Sequence, residues 1–153
     1  MYRMNKGDDD MASVFDVAKY ILHKMGRLST WKLQKLCYYS QAWQLAWTGE
    51  PIFDEDFEAW SNGPVCRKLF NAHRGKYSVT EDDLQGNTDL LNADQKETID
   101  MILKGYGNMM PYELREQTHI EAPWKTARGN CKEGEHCENV ITKASMNEYY
   151  GSL

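Results

Sequence analysis

No stretch of this 153-residue chain approaches the roughly 20 consecutive apolar residues that a membrane span requires. Residues 1–12 hold Asp8, Asp9 and Asp10 in a row and no apolar h-region, so no secretory signal is expected there. They read as a disordered lead-in, with Met1, Met4 and Met11 as alternative starts, and the cytoplasm is the expected compartment. Phosphate-cradling glycine loops are missing: Gly105-Tyr106-Gly107 follows a helical stretch and reads as a helix ending. There is no Gly-x-Ser-x-Gly elbow and no His-Glu-x-x-His, and the histidines, His23, His73, His119 and His136, lie on separate segments. Without paired chemistry the chain is not expected to be an enzyme or to hold a cofactor. The cysteines, Cys37, Cys66, Cys131 and Cys137, include no Cys-x-x-Cys pair, so no metal site is expected. In a reducing cytoplasm no disulfide is expected either. The net charge of −5 argues against binding to phosphate backbones, and no direct DNA binding is expected.

What the chain has in quantity is aromatic surface, five Trp and nine Tyr, which suits a single core at this length. Ser13, followed three residues later by Asp16, reads as a capped helix start, with Val14, Val17, Ala18, Ile21, Leu22 and Met25 as its buried stripe and Gly26 as its end. Ser29 caps a second helix running to about Thr48, apolar on most sides, as a central helix is. Within it Lys32 and Lys35 lie near the start, where the helix dipole disfavours cations. Surface solubility is the expectation for both, a salt bridge or an acidic partner the alternative. Residues 53–60 read as extended chain. Asn62-Gly63-Pro64 reads as a turn with Pro opening a short helix, and residues 78–93 as the most loop-like part. Helices from about Asn92 and Pro111, a turn at Ala122-Pro123-Trp124, a short strand at residues 139–141 and a last helical turn or two complete the chain. The fold class is mainly α: a compact single-domain helical bundle with at most a small β-strand pair.

Three blocks carry a family resemblance. The first is Lys32-Leu33-Gln34-Lys35-Leu36, followed by Tyr38-Tyr39, Ser40, Gln41 and the aromatic Trp43. The second is Glu58-Ala59-Trp60, a spacer, then Gly63-Pro64-Val65, and the third is Thr118-His119, a spacer, then Pro123-Trp124. In this order they resemble the Panacea domain, the SocA-like or phage-associated GepA-like antitoxins, over about residues 13–153. Ile120 stands where that family often has Ser, and Cys37 where it often has an aliphatic. The resemblance implies a cytoplasmic antitoxin, bacterial or prophage-borne, that neutralises a toxin encoded by an adjacent gene through direct binding. The alternatives are an adaptor delivering the toxin to a protease, or a phage-associated regulatory or scaffold protein with another partner. A homo-oligomer stays open.

The expected partner-binding residues are Glu58, Trp60, Arg67 and Lys68, with Asp82 and Asp83 from an acidic stretch between Glu81 and Asp100. Period-two alternation puts Glu58 and Trp60 on one face of an extended segment, where Arg67 or Lys68 can pair with the carboxylate. That face reads equally as a covered core edge or as a binding surface. The acidic stretch reads as a solvated face or as one that meets a basic partner. His119 reads as a donor to last-turn carbonyls or a buried carboxylate, the alternative being part of a partner-facing groove.

Overall fold

A computed structural model describes residues 11–153 of the chain. The expected lead-in lies outside those residues apart from Met11 and Ala12, and Ala12 is buried with the core. Helix α1 (Val14–Met25) opens with the capping box read from the sequence, the Ser13 amide donating to Asp16 Oδ2 at 2.8 Å. Strand β1 (Leu28–Ser29) follows. The Ser29 hydroxyl then accepts from the Lys32 amide and starts α2 (Thr30–Thr48). Every residue of α2 from Leu33 to Ala42 is buried, because other elements close on all its sides. These include α1, α4 (Ala93–Tyr106) and α7 (Lys143–Gly151), with the segments Gly63–Val65 and Pro111–Ile120 on the remaining side. Trp43 is half-buried and Trp47 is 49 % exposed, so the helix leaves the core in its last turn.

Strands β2 (Phe57–Trp60), β3 (Gly63–Val65) and β5 (Val140–Ile141) form an antiparallel sheet in the order β3-β2-β5. Glu58 stands opposite Val65 and Phe57 opposite Ile141. A second, two-stranded sheet pairs β1 with β4 (Ser78–Val79). Pro64 does not open a helix. It sits in β3, an edge strand where its missing N–H costs no ladder bond, and α3 (Arg67–His73) begins after Cys66. Residues 122–124 are likewise helical, within α6 (Ala122–Arg128), because Pro123 falls in the first turn, where no intrahelical N–H is needed. That helix follows α5 (Pro111–Ile120) directly.

The loop-like stretch before α4 holds two single turns of 3₁₀ helix, Glu81–Asp83 and Thr88–Leu90. It is pinned to α1: Lys19 Nζ donates to Leu84 O at 3.3 Å and the Asn87 amide to Asp16 Oδ1 at 2.6 Å. Val79, Leu84 and Leu91 anchor it in the core, while Leu90 stays exposed.

Two glutamines of α2 act as clamps. Gln41 accepts from the Ile52 amide and donates to Phe53 O, both at 2.7 Å. Gln34 accepts from the Cys66 amide at 2.8 Å and donates to Cys66 O at 3.2 Å. Each supplies a buried loop with the backbone partners it would otherwise lack. A buried carboxylate, Glu121, accepts from the hydroxyls of Tyr39 at 2.8 Å and Tyr150 at 2.6 Å and from Gln117 Nε2 at 2.9 Å. This network ties α2, α5 and α7 together.

Cys131 and Cys137 are joined as a disulfide, against the expectation of free thiols. The loop after α6 brings their Cα atoms to 6.1 Å, within the range a disulfide spans. The compartment argument speaks to redox conditions and carries no information on that loop geometry. Cys37 and Cys66 are free and buried.

Candidate functional site

The alternation of β2 sends Phe57 and Ala59 into the core and leaves Glu58 and Trp60 half-buried on the other face. Arg67, the first residue of α3, closes over them. Glu58 Oε1 accepts from Trp60 Nε1 at 2.8 Å and Arg67 Nη2 at 2.9 Å, and Glu58 Oε2 accepts from Arg67 Nε at 3.2 Å. Arg67 Nη2 also reaches Glu138 Oε2 at 2.7 Å, and His136 Nε2 lies 2.9 Å from that same oxygen. The hydrogen bonds to Glu58 and then Glu138 hold the guanidinium above its ordinary pKa. The bonds from His136 and then Arg67 hold Glu138 below the usual carboxylate range. The Trp60 ring meets Phe70 and His136 edge-on, with the Arg67 guanidinium 5.5 Å from its centroid.

Three of the expected partner-binding residues, Glu58, Trp60 and Arg67, therefore form one ledge. The others do not join it. Lys68 Nζ lies 4.0 Å from Glu55 instead. Asp82 and Asp83 belong to a 3₁₀ turn that packs on α1. Asp83 accepts from the Thr80 amide at 2.8 Å, a bond that lowers its pKa. Glu81 meets His23 at 2.9 Å and Asp100 accepts from Tyr20, so part of the acidic charge is already engaged.

Beside the ledge, across the β2–β3 turn, the three sequence blocks meet. Gly63 has φ 116°, and a Cβ there would lie 2.5 Å from Lys35 Cε and 3.1 Å from Thr118 Oγ1. Only glycine fits between a side chain of the first block and one of the third. Trp124 Nε1 donates to Trp60 O at 2.8 Å, and the His119 ring stacks on Trp124 with centroids 3.7 Å apart. Arg128 Nη1 donates to Ala59 O at 3.0 Å beneath them.

Two expectations fail in this cluster. Lys35 is not a surface lysine: it is 1 % exposed and its Nζ has no hydrogen-bond partner. Burial, and then the neighbouring Arg115, push its pKa down to about 7. The β2–β3 hairpin and α5 close over this part of α2, with Gly63 against the lysine stem. Lys32, three residues earlier, stays half-exposed and donates to Gly107 O at 2.6 Å. His119 is not a carbonyl or carboxylate donor either. Its Nε2 is buried without a partner, and burial, then Arg115, push the imidazole down to about 4. The ring is held instead by its stack on Trp124. Trp31, Tyr112, Arg115 and Arg128 have no motif signal of their own. The i, i+4 spacings of Trp31 to Lys35 and Arg115 to His119 are the sequence traces of two of them.

The family model described as "Antitoxin SocA-like, Panacea domain" matches residues 33–125, more than half of the chain and a span that includes most of all three blocks. The chain belongs to the SocA-like Panacea antitoxin family. A relative, Antitoxin SocA of Caulobacter vibrioides (strain NA1000 / CB15N), is 31 % identical over 124 residues. That match covers 71 % of this chain and 66 % of the relative, just under two thirds of the relative's length. No solved structure gives a significant match. The family region contains the Lys35–Gly63–Thr118 cluster and the Glu58–Trp60–Arg67 ledge, while Glu138 and α7 lie beyond it.

Proposed function

We propose that this Panacea-domain protein is the antitoxin of a bacterial or prophage toxin–antitoxin pair. It neutralises a protein toxin encoded beside it by direct binding and performs no catalysis. The observation that carries this reading is the family match, together with the close packing of its blocks at the β2–β3 hairpin. The ledge of Trp60 and Arg67 supports a protein-binding face, because Trp and Arg dominate interface hot spots. Glu58 serves there as a positioning residue, orienting both side chains through its hydrogen bonds. Asp82 and the rest of the acidic stretch would act at longer range, raising the association rate with a basic toxin.

The test is co-expression with each adjacent reading frame. Growth should be restored for one frame that is toxic alone. Restoration that disappears in a protease-deficient host would transfer the mechanism from occlusion to delivery of the toxin for degradation. Arg67→Gln removes the guanidinium without placing a third carboxylate beside Glu58 and Glu138. With folding checked by circular dichroism, it is expected to lower rescue by about tenfold or more, as loss of an interface arginine does. Undiminished rescue by the folded variant would take the ledge out of the interface.

A further inference from the structure

We propose that the cleft between α2, the β2–β3 turn and the start of α5 binds a carboxylate carried by a protein partner, with Lys35 as its cation and Arg115 and Asn62 as supporting donors. The cleft has a volume of about 180 Å³ and is lined by Trp31, Lys35, Asn62, Pro111, Tyr112 and Arg115. Lys35 is its buried member. Buried amino groups in folded proteins find hydrogen-bond or charge partners, because an unpaired one loses its hydration and gains nothing in return. Here Nζ has no partner within the described residues, and the Trp31 ring centroid 5.2 Å away is its one aromatic neighbour. A partner from outside the chain supplies what is missing.

The surroundings define what that partner must carry. Arg115 adds a second positive charge: its Nη1 pairs with Glu116 and its Nε donates to Asn62 Oδ1 at 3.0 Å, which leaves Nη2 and the Asn62 amide nitrogen as further donors. No acidic side chain of the described residues lies within ion-pair distance of Lys35. The site therefore calls for an anion. Its walls are aromatic and apolar: Trp31 is 39 % and Tyr112 66 % exposed, and Trp and Tyr are side chains that anchor protein interfaces. A cleft of this size takes one carboxylate and its stem. The overall charge of −5 opposes a polyanion, which favours an acidic side chain or chain terminus of a polypeptide over a nucleic acid. The site is also held ready. Gly63 leaves no room for a Cβ against the Lys35 stem, so the lysine is gripped in place before any ligand arrives.

The inference rests on the antitoxin reading only in identifying the partner as the toxin; carboxylate binding by the cleft is measured without it. Thermal melting of the purified full chain is compared in N-acetyl-aspartate amide, its neutral analogue N-acetyl-asparagine amide, inorganic phosphate and a short RNA, at matched ionic strength. At a concentration tenfold above its Kd the acid should raise Tm by about 3–6 °C, and the neutral amide should not. Lys35→Met and Arg115→Gln should each abolish the shift. Equal shifts from acid and amide, or a full shift retained by folded Lys35→Met, would overturn the proposal. A larger shift from phosphate or from RNA would overturn the choice of a carboxylate-bearing protein. In the growth assay, wild-type rescue with loss of rescue by Lys35→Met places the toxin in the cleft. Rescue by both removes the toxin from the cleft and leaves the antitoxin reading standing. Failure of the wild type to rescue any adjacent frame strikes that reading instead, and the melting series then decides the cleft alone.

Discussion

Leu36→Ala is expected to lower the unfolding free energy by about 2–5 kcal/mol, and the melting temperature by roughly 5–15 °C. Leu36 has no exposed surface and sits mid-way along the stretch of α2 that is buried on every side. Removing its branched end leaves a cavity that α1, α4 and α7 cannot fill without shifting against one another. Trp47→Ala gives the contrast. Although larger, Trp47 is 49 % exposed where α2 leaves the core, and its loss should cost less than that of Leu36. Chemical denaturation of both variants checks the pair. Wild-type stability in Leu36→Ala would mean that α2 is not the central helix.

Lys35→Met should make the protein more stable near neutral and acidic pH, by several kcal/mol, and the gain should shrink as the pH rises. Methionine matches the lysine stem in volume and needs no partner for a charge. The sign follows from the two protonation states. Lys35 has an ordinary pKa of 10.5 in the unfolded chain and about 7 in the fold. Between these values the unfolded chain holds a proton that the folded chain does not, so wild-type stability rises with pH by up to about 1.4 kcal/mol per unit. Below about pH 7 the ammonium is charged in both states and its full penalty applies. The wild type should therefore approach Lys35→Met between about pH 7 and pH 10. Lys35 feels the Arg115 charge, and His73 and His119 feel that of Lys35. His119, pushed down to about 4, contributes stability that is present above its ordinary 6.5 and lost as the pH falls through 4, a separate window. Urea midpoints of the two proteins across this range make the comparison. A constant gap would mean that Lys35 keeps its charge in the fold and has found a partner.

The first two helices were legible in the sequence because short-range rules determine them. Ser13 with Asp16, Ser29, Gly26 and Gly49 mark their ends, and the burial of Leu33 through Ala42 follows from a segment apolar on most faces. The alternation of Phe57, Glu58, Ala59 and Trp60 was legible for the same reason, as was the pairing of Glu58 with an arginine ten or fewer residues away. What the sequence misread depended on contacts distant along the chain. Pro64 allows either a helix start or an edge strand, and the pairing with β2 decides between them. Lys35 has the composition of a surface residue, and only the approach of the hairpin and α5 encloses it. His119 has the position of a helix-end donor, and its ring is held instead by the stack on Trp124. The disulfide depends on the path of the loop after α6, which no local rule determines.

Within the candidate site, the family blocks named Lys35, Gly63, Thr118, His119 and Trp124 but not their meeting point. Trp31, Tyr112 and Arg115, which complete the cleft, stand outside the motif positions. A cleft formed by side chains from three separate elements leaves almost no trace in sequence spacing. Its members became recognisable once an unpartnered buried amino group was found among them.

The central claim, neutralisation by direct binding, is tested most directly by mixing the purified protein with the purified product of the adjacent toxic frame and measuring the mass of the mixture by size-exclusion chromatography with light scattering. The account predicts a single complex of fixed stoichiometry whose formation suppresses the toxin's activity in the same tube. Two separate peaks at concentrations well above those in the cell, with the toxin fully active, would contradict it.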